Sequence, residues 1–431
     1  SLPSPEALPR ADRSQLLPLS WAQQRLWFLD QLEGQSQAYH IAGAFHLHGP
    51  LDMAAVQAAL DALLARHEVL RMNVITRDGE GWGQLRPEAG SDSGFALRCL
   101  DLAALSGRRR AAEMSRQLAE EVARPFDLAH DPLIRGLLLK LTAQHHVLCV
   151  VMHHIVSDGW SVGLLRQEFA ALYAAFCQGQ LAALPPLPLQ YADYALWQRQ
   201  HLSGARLEEQ LAYWRQQLQG AAAVLALPSD RPRPAQRRHE GGSLPLLLDA
   251  TLTRDLRQLA RAQGVTLYMV LYAGLALLLA RLSQQEEVVI GTPVANRTHA
   301  ALEPLIGFFA NTLALRLRLT GVMDTTALLQ EVKRLTLAAY AHQEAPFEQV
   351  VEAVQPVRSL SHSPLFQVML SWQNLPPAGA PAALFEGLDG LQIVPCPLPE
   401  QAAQFDLLLE AYEAPVEAPV EAPLEVPAAD G

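Results

Sequence analysis

The chain has 431 residues, half of them hydrophobic, and a formal net charge of −11. A chain of this length can bury a large core and has room for two or three domain-sized units. The acidic balance argues against nucleic acid as the main partner. The four cysteines have no paired spacing, so we expect them to be buried free thiols in a reducing compartment, and neither disulfides nor zinc ligands.

Two features predict a soluble, cytoplasmic protein that does not span a membrane. The first ten residues lack the apolar core of a signal peptide. The longest uncharged apolar run, residues 265–280, is about one helical turn too short to cross a bilayer. We interpret this run as a buried helix with Thr266 as its N-cap.

The first 66 residues predict a linker and two helices. Residues 1–18 are rich in proline and show no apolar periodicity, which is typical of a linker. Ser20 precedes an amphipathic segment and is expected to cap a helix. Residues 51–66 carry apolar side chains at spacings of three and four, which predicts a second helix.

A cluster of polar residues follows a buried strand in the middle of the first half. The six apolar residues 147–152 predict the strand, and His153, His154, Asp158 and Gly159 come directly after it. A neutral imidazole can accept or share a proton near neutral pH. Asp158 fits better as the partner of a cation that fixes the turn. Gly159 begins a helical pattern, where it allows a close backbone approach or a positive φ.

The residues alone leave other interpretations of this cluster open. Two adjacent histidines at a strand end are often a structural pair, or part of a metal site that here lacks a third ligand at close spacing. A second pair, His145 and His146, precedes the same strand after Gln144. Because no Asp-Gly follows it, we interpret this second pair as a solvated turn.

Several segments, in order along the chain, resemble the conserved motifs of the condensation domains of nonribosomal peptide synthetases. The strongest is HHxxxDG at residues 153–159. The others are SxAQxRLWxL from Ser20, RHExLR at 66–71, GxPxANR at 291–297, IGFFxNTL at 306–313, HQxxPFE at 342–348 and PLFQV at 364–368. The chain departs from the family at its end, where residues 413–431 form a proline- and glutamate-rich tail that cannot pack a core.

The resemblance implies an α/β fold of two chloramphenicol-acetyltransferase-like lobes, arranged as a V-shaped pseudo-dimer around a central tunnel. It leads us to divide the chain into five parts. These are a linker (1–18), an N-terminal lobe with the HHxxxDG motif (19–183), a crossing segment and linker (184–234), a C-terminal lobe (235–412) and the tail (413–431).

The resemblance also implies roles for individual residues. His154 would orient or deprotonate an attacking amine, and the N–H of Gly159 would stabilise the developing oxyanion. His153 and Asp158 would be structural, with Asp158 paired to an arginine, for which Arg297 is the first candidate and Arg66 the second. Trp160 and Asn311 are expected to line the tunnel. No metal is expected.

The activity implied is amide formation between a donor aminoacyl or peptidyl thioester and the amine of an acceptor aminoacyl thioester. Both substrates would be carried on phosphopantetheine arms of peptidyl carrier proteins, and the chain itself would bind no cofactor. The resemblance also implies an adjacent adenylation domain as a partner. Neither nucleic acid nor a membrane is expected to bind, and the chain would be a monomer within a multidomain synthetase. Three alternatives remain: an epimerisation domain, a starter condensation domain that N-acylates the first amino acid, and a non-catalytic recruitment domain of the same fold.

Overall fold

The computed structural model describes residues 8–34, 37–87, 94–180, 184–237, 240–319, 323–356, 359, 361–373, 390–398 and 403–413. The helices are α1 (Trp21–Glu33), α2 (Met53–Arg66), α3 (Gly107–Ala123), α4 (Gly159–Cys177), α5 (Tyr191–His201), α6 (Gly204–Leu218), α7 (Ala250–Gln263), α8 (Leu267–Ser283), α9 (Thr325–Ala341) and α10 (Phe347–Val354). The strands are β1 (Leu17–Pro18), β2 (His40–His48), β3 (Met72–Arg77), β4 (Glu80–Leu85), β5 (Leu97–Asp101), β6 (Ile134–Thr142), β7 (His145–His153), β8 (Glu287–Val294), β9 (Asn311–Arg318), β10 (Val368–Gln373), β11 (Gln392–Pro395) and β12 (Leu407–Tyr412).

The first lobe is built on a mixed five-stranded sheet with the order β11-β2-β7-β6-β5. Strand β7 lies at its centre, antiparallel to both β2 and β6. Its residues Val147, Cys149 and Val151 are fully buried, as expected for an apolar strand with neighbours on both sides. Helices α3 and α4 belong to the same lobe, and α4 packs against α2. The central strand therefore delivers its last residue, His153, from a rigid core.

The second lobe is built on a mixed four-stranded sheet with the order β12-β10-β8-β9, and helices α7, α8 and α9 pack together with it. The predicted N-cap is confirmed, because the Thr266 hydroxyl accepts a hydrogen bond from the Met269 N–H at 3.2 Å. The α/β prediction with two lobes of mixed sheet and helices is confirmed as well. A third, small sheet of β1, β4 and β3 belongs to the first half of the chain.

Two segments from the second half of the chain form part of the first lobe. Strand β11 comes from the second half of the chain but pairs antiparallel with β2 in the first sheet, so the predicted range 235–412 does not stay within one lobe. The segment between β8 and β9 contributes Leu305, Ile306 and Phe309 to the hydrophobic core of the first lobe. Within the predicted crossing segment, α5 packs in the first core and α6 in the second.

The linker prediction for residues 1–18 is wrong over the part that the structure describes, residues 8–18. Leu8 and Ala11 are buried, and the guanidinium of Arg13 pairs with both Glu68 and Asp193. The prolines obscured this segment because they remove the apolar periodicity from which packing is normally inferred. The predicted tail lies outside the described residues, apart from its first residue.

The solvated-turn interpretation of the second histidine pair is also wrong. His145 and His146 begin β7 rather than the turn before it. His146 is buried, and within the described part of the chain its Nδ1 atom has no hydrogen-bond partner. The Nε2 atom of His145 lies 3.0 Å from the Nδ1 atom of His46 on β2.

Two further expectations concern the cysteines and the apolar helix. The four cysteines are free, as predicted, but Cys99 and Cys177 are exposed and only Cys149 and Cys396 are buried. Within the described residues, no single helix has the length and apolar character needed to cross a membrane. Helices α7 and α8 would pass such a test only as a pair, and the chain bends by 104° between them.

Candidate active site

The strand-to-helix turn at the end of β7 carries the predicted cluster. His153 closes the strand, residues 154–156 form one 3₁₀ turn, and α4 begins at Gly159. The amide of Gln23 on α1, which is itself buried, donates to the carbonyl of Ile155 at 3.0 Å. Helix α1, which Ser20 caps, therefore holds this turn in place.

His153 is a structural part of this turn. Its side chain is 3 % exposed, and its Nδ1 atom accepts a hydrogen bond from the Ile155 N–H at 3.1 Å. The rings of His40 and Phe126 lie 6.4 and 6.1 Å away, measured between ring centroids. Burial, together with repulsion from His40 and His154, lowers the pKa of His153 to about 3. The ring is therefore neutral at physiological pH and serves as a hydrogen-bond acceptor.

His154 points into the junction between the lobes. His154 is half-buried, and its ring packs edge-on against the ring of Phe308 from the second half of the chain, with the two ring centroids 4.5 Å apart. The Nδ1 atom is buried and has no hydrogen-bond partner among the residues that the structure describes. Burial lowers the pKa of His154, while the Asp158 carboxylate and backbone groups at His154 and Ser157 act in the opposite direction. The ring is a neutral base with unused hydrogen-bonding capacity.

Asp158 joins the turn to the second half of the chain. Its Oδ1 atom caps α4 by accepting from the Ser161 N–H at 2.8 Å and lies 3.4 Å from the Arg297 guanidinium. Its Oδ2 atom accepts from the N–H groups of Phe309 and Ala310 at 3.0 and 3.1 Å. The side chain is 2 % exposed, so this carboxylate is fully desolvated and receives four donors.

Arg297 is the cation of this site, and Arg66 is not. The Arg297 guanidinium donates to the carbonyls of Leu302 and Leu305 at 2.5 and 2.7 Å and to the Ser161 hydroxyl at 2.9 Å. Burial lowers its pKa, and Asp158 opposes that shift. Arg66 instead pairs with Glu168 at 3.1 Å, so the second candidate for the Asp158 partner was wrong.

The remaining predicted residues lie around the ion pair of Asp158 and Arg297. Gly159 is exposed at the start of α4 without a positive φ, and a Cβ atom there would meet nothing within 4 Å. The Trp160 indole donates to the Glu303 carbonyl at 3.0 Å. The Asn311 amide donates to the carbonyls of Gln343 and Ala345 and accepts from the Phe347 N–H. The polar groups of Trp160 and Asn311 therefore connect backbone segments.

Two residues that shape the site, Ser161 and Tyr191, were not predicted as site residues. The Ser161 hydroxyl accepts from the Gly307 N–H at 3.1 Å and donates to the Gly307 carbonyl at 2.9 Å. The fully buried Tyr191 contacts the Ser20 hydroxyl at 2.8 Å and donates to the Phe308 carbonyl at 2.6 Å. These bonds fix the segment that carries Phe308 against His154. A polar residue one helical turn beyond a capping aspartate was the available signal for Ser161.

A metal ion needs several histidine, cysteine or acidic ligands close together. Among the described residues, one group of three histidine, cysteine or acidic side chains could hold a metal ion, and it consists of His46, His48 and His145. That group lies at the opposite end of β7 from His153.

The sequence matches the condensation-domain family over residues 13–418. It is 46% identical over 411 residues to malpinin synthetase of Mortierella alpina, a match that covers 94% of this chain and 5% of that protein. It is 46% identical over 366 residues to a phosphinothricin tripeptide synthetase of Streptomyces viridochromogenes, with 85% and 33% covered. The chain thus spans a third or less of the length of these relatives.

A solved structure covers nearly the whole chain with the same fold. The structure of the X-domain from teicoplanin biosynthesis superposes with a TM-score of 0.83 and 30% sequence identity, and the match covers 95% of this chain and 88% of that one. The family match over nearly the whole chain agrees with the site, where the Asp158 carboxylate is buried and His154 is half-buried. The chain therefore belongs to the condensation-domain family of nonribosomal peptide synthetases, whose members are acyltransferases that form amide bonds.

Proposed function

We propose that this chain forms the peptide bond between a donor aminoacyl or peptidyl thioester and the amine of an acceptor aminoacyl thioester, both on phosphopantetheine arms. The amine nitrogen attacks the thioester carbonyl carbon, a C–N bond forms, and the C–S bond breaks. The donor carrier's thiol leaves and takes up a proton, while the amine loses one. The observation that carries this proposal is the neutral His154 beside the open start of α4, at the junction of the two lobes.

The site supplies two chemical functions to this reaction. His154 accepts a hydrogen bond or a proton from the attacking amine, which its lowered pKa permits at neutral pH because the ring is uncharged. The N–H of Gly159 lies in the first turn of α4, where the helix leaves its N–H groups without intrahelical partners. A backbone N–H in that position stabilises negative charge on a carbonyl oxygen.

Proximity supplies the larger share of the rate. Holding two reactants in reacting geometry is worth about 7–11 kcal/mol of the barrier. A tunnel between the lobes, open at both ends, would bring two tethered arms to His154 from opposite sides. Trp160 and Asn311 would form parts of its wall and support, and His153, Asp158 and Arg297 would hold the turn rigid.

The partners proposed are donor and acceptor carrier proteins and an adjacent adenylation domain, with this chain acting as a monomeric unit of a longer synthetase. The small share of the relatives that the chain covers supports this placement. The phosphopantetheine belongs to the carriers, and no cofactor is held by the chain itself. Four free thiols, two of them exposed, fit a cytoplasmic location.

A recruitment role is the second candidate, since the X-domain from teicoplanin biosynthesis resembles this chain in fold over nearly its whole length. Against it, the chain keeps both His154 and Gly159, the two residues to which we assign the chemistry. The epimerisation alternative is disfavoured because Trp160 directly follows Gly159 and the PLFQV segment is of the condensation type. A starter domain would take an acyl donor in place of the aminoacyl one.

The test is a reconstitution with loaded donor and acceptor carriers, read by mass spectrometry of the acceptor carrier. We expect a dipeptidyl acceptor carrier with the native chain. His154→Ala should lower its rate of formation by about 10²-fold or more, while His130→Ala, an exposed histidine on the first lobe, should leave it unchanged. A near-native rate for a folded His154→Ala variant would overturn the proposal. An inverted α-carbon without dipeptide would indicate epimerisation, and an N-acyl product only from acyl donors would indicate a starter domain.

A further inference from the structure

Three histidines cluster at the end of the first sheet that lies away from the proposed active site. On β2, His46 and His48 are two residues apart and therefore project from the same face. Across the antiparallel pair, His48 lies directly opposite His145 on β7, while His153 at the far end of β7 lies opposite His40. Eight residues of strand separate the two ends of β7, about 27 Å at 3.4 Å per residue.

The imidazole nitrogens of this cluster are close to one another. The Nδ1 atom of His46 lies 3.0 Å from the Nε2 atom of His145, and the rings of His48 and His145 stack with centroids 4.1 Å apart. One nitrogen from each of the three side chains lies within 4.8 Å of the others. A tetrahedral zinc ion with bonds of 2.0–2.1 Å needs nitrogens about 3.3 Å apart, so small side-chain rotations would complete the set.

We propose that His46, His48 and His145 bind one zinc ion, with the fourth coordination position left to water. Three imidazoles with an open fourth position form a recognised type of zinc site, and imidazole is a ligand that zinc accepts well. All three side chains are half-buried, so an ion can reach them from solvent. None of the three belongs to the segments that resemble the family motifs.

The ligand set would join two neighbouring strands of the first sheet. Two of the ligands come from β2 and one from β7, so a bound ion would clamp the strand that ends in His153 to its neighbour.

The first experiment is calorimetric titration of the chelator-treated, full-length chain with zinc sulfate. We expect saturable binding of one equivalent, lost in His48→Ala and in His145→Ala. The control His130→Ala removes an exposed histidine of the first lobe, and His154→Ala removes a histidine at the other end of β7. Both control variants should still bind one equivalent of zinc. Binding that survives His48→Ala, or disappears in His154→Ala, would overturn the site, as would weak unsaturable uptake by every variant.

A second measurement does not depend on whether the variants fold. Adding cobalt(II) to the native chain should give the intense visible absorption of a tetrahedral complex, and zinc should abolish it by displacement. Zinc should also raise the midpoint of thermal unfolding of the native chain, because a ligand that binds only the folded state stabilises it. An octahedral cobalt spectrum or an unchanged midpoint in the native chain would contradict the proposal.

Discussion

The carboxylate of Asp158 accepts a hydrogen bond from the backbone N–H of Phe309 at 3.0 Å, across 151 residues of sequence. The same oxygen accepts from Ala310, and the other oxygen serves Ser161 and Arg297. The aspartate of the HHxxxDG motif thus holds the second half of the chain against the turn that carries the histidines. Because Phe308 precedes the anchored residue and touches the His154 ring, this anchor also fixes one wall beside the proposed base.

Asp158→Asn is expected to lower the free energy of unfolding by about 3–5 kcal/mol, the cost of breaking a buried ion pair. Asparagine has one acceptor oxygen, so its NH₂ group would have to face N–H donors that the carboxylate now satisfies. Arg297, whose side chain is 3 % exposed, would keep an unpaired charge. Urea unfolding measures the loss, and soluble yield should fall with it.

The matched control for Asp158→Asn is Glu208→Gln. Glu208 pairs with Arg215 on the surface of α6, and exposed pairs contribute little to stability. A loss for Asp158→Asn no larger than that for Glu208→Gln would show that the carboxylate is not the anchor described above.

Gly307→Ala is expected to cost about 1–3 kcal/mol, the usual effect of overpacking a core. A Cβ atom at residue 307 would lie 1.9 Å from a ring carbon of Tyr191. That ring cannot retreat easily, since its hydroxyl is bonded to Ser20 and Phe308. Chemical denaturation measures the cost, and the displaced Phe308 should also slow amide formation.

Gly274→Ala provides the comparison for Gly307→Ala. Residue 274 lies within α8, and a Cβ atom there would meet nothing within 4 Å. Alanine should stabilise this helix by about 0.5–1 kcal/mol. If both variants are equally stable, the contact between Tyr191 and residue 307 is looser than the structure shows.

The sequence predicted the features that depend on near neighbours. The strand at 147–152, the helix caps at Ser20 and Thr266 and the helix that begins at Gly159 follow from local polarity and spacing. The second half of the chain was harder, because strand β11 joins the first sheet through a pairing that no local pattern announces.

The errors concern partners that are far apart in sequence. Arg13 reaches Glu68 and Asp193 from a segment whose prolines are typical of a linker. The local sequence places His145 in a turn. Its partner His46 is 99 residues away in sequence, and only the register of β2 and β7 brings the two side chains together. Sequence spacing gives the face on which a side chain lies, but register decides what stands opposite it.

The contribution of His154 to the rate of amide formation, taken as the ratio of the native rate to that of His154→Ala, should be constant between about pH 7 and 8 and should fall only in acid. Burial lowers the pKa of His154 from its ordinary value of 6.5. The neutral, active form therefore persists at neutral pH and is lost only as the pH falls below 6.5. Single-turnover rates with pre-loaded carriers, at pH values where unfolding experiments show a folded chain, measure this profile. A ratio that falls with its midpoint at or above pH 6.5 would contradict the burial of the ring, because titration of the acceptor's α-amine affects both proteins alike.

His153 should make the stability of the fold depend on pH over a defined window. Its pKa is lowered to about 3 in the folded chain from an ordinary value of 6.5, so the unfolded chain binds the proton first as the pH falls. The contribution of His153 is complete above pH 6.5 and is lost progressively towards pH 3. Between pH 6.5 and pH 4 the loss amounts to about 3 kcal/mol.

His153→Asn isolates this contribution. The Asn side-chain oxygen can replace Nδ1 as the acceptor for the Ile155 N–H, which lies 3.1 Å away in the native chain, but it does not titrate. Urea unfolding at pH 7.5, 5.5 and 4.5 should therefore show a variant that is less stable at pH 7.5, because ring packing is lost, and that loses less stability in acid than the native chain. His40, whose pKa is also lowered by burial, titrates in both proteins and cancels in the comparison. Equal losses in the two proteins would mean that His153 is protonated in the folded state without cost.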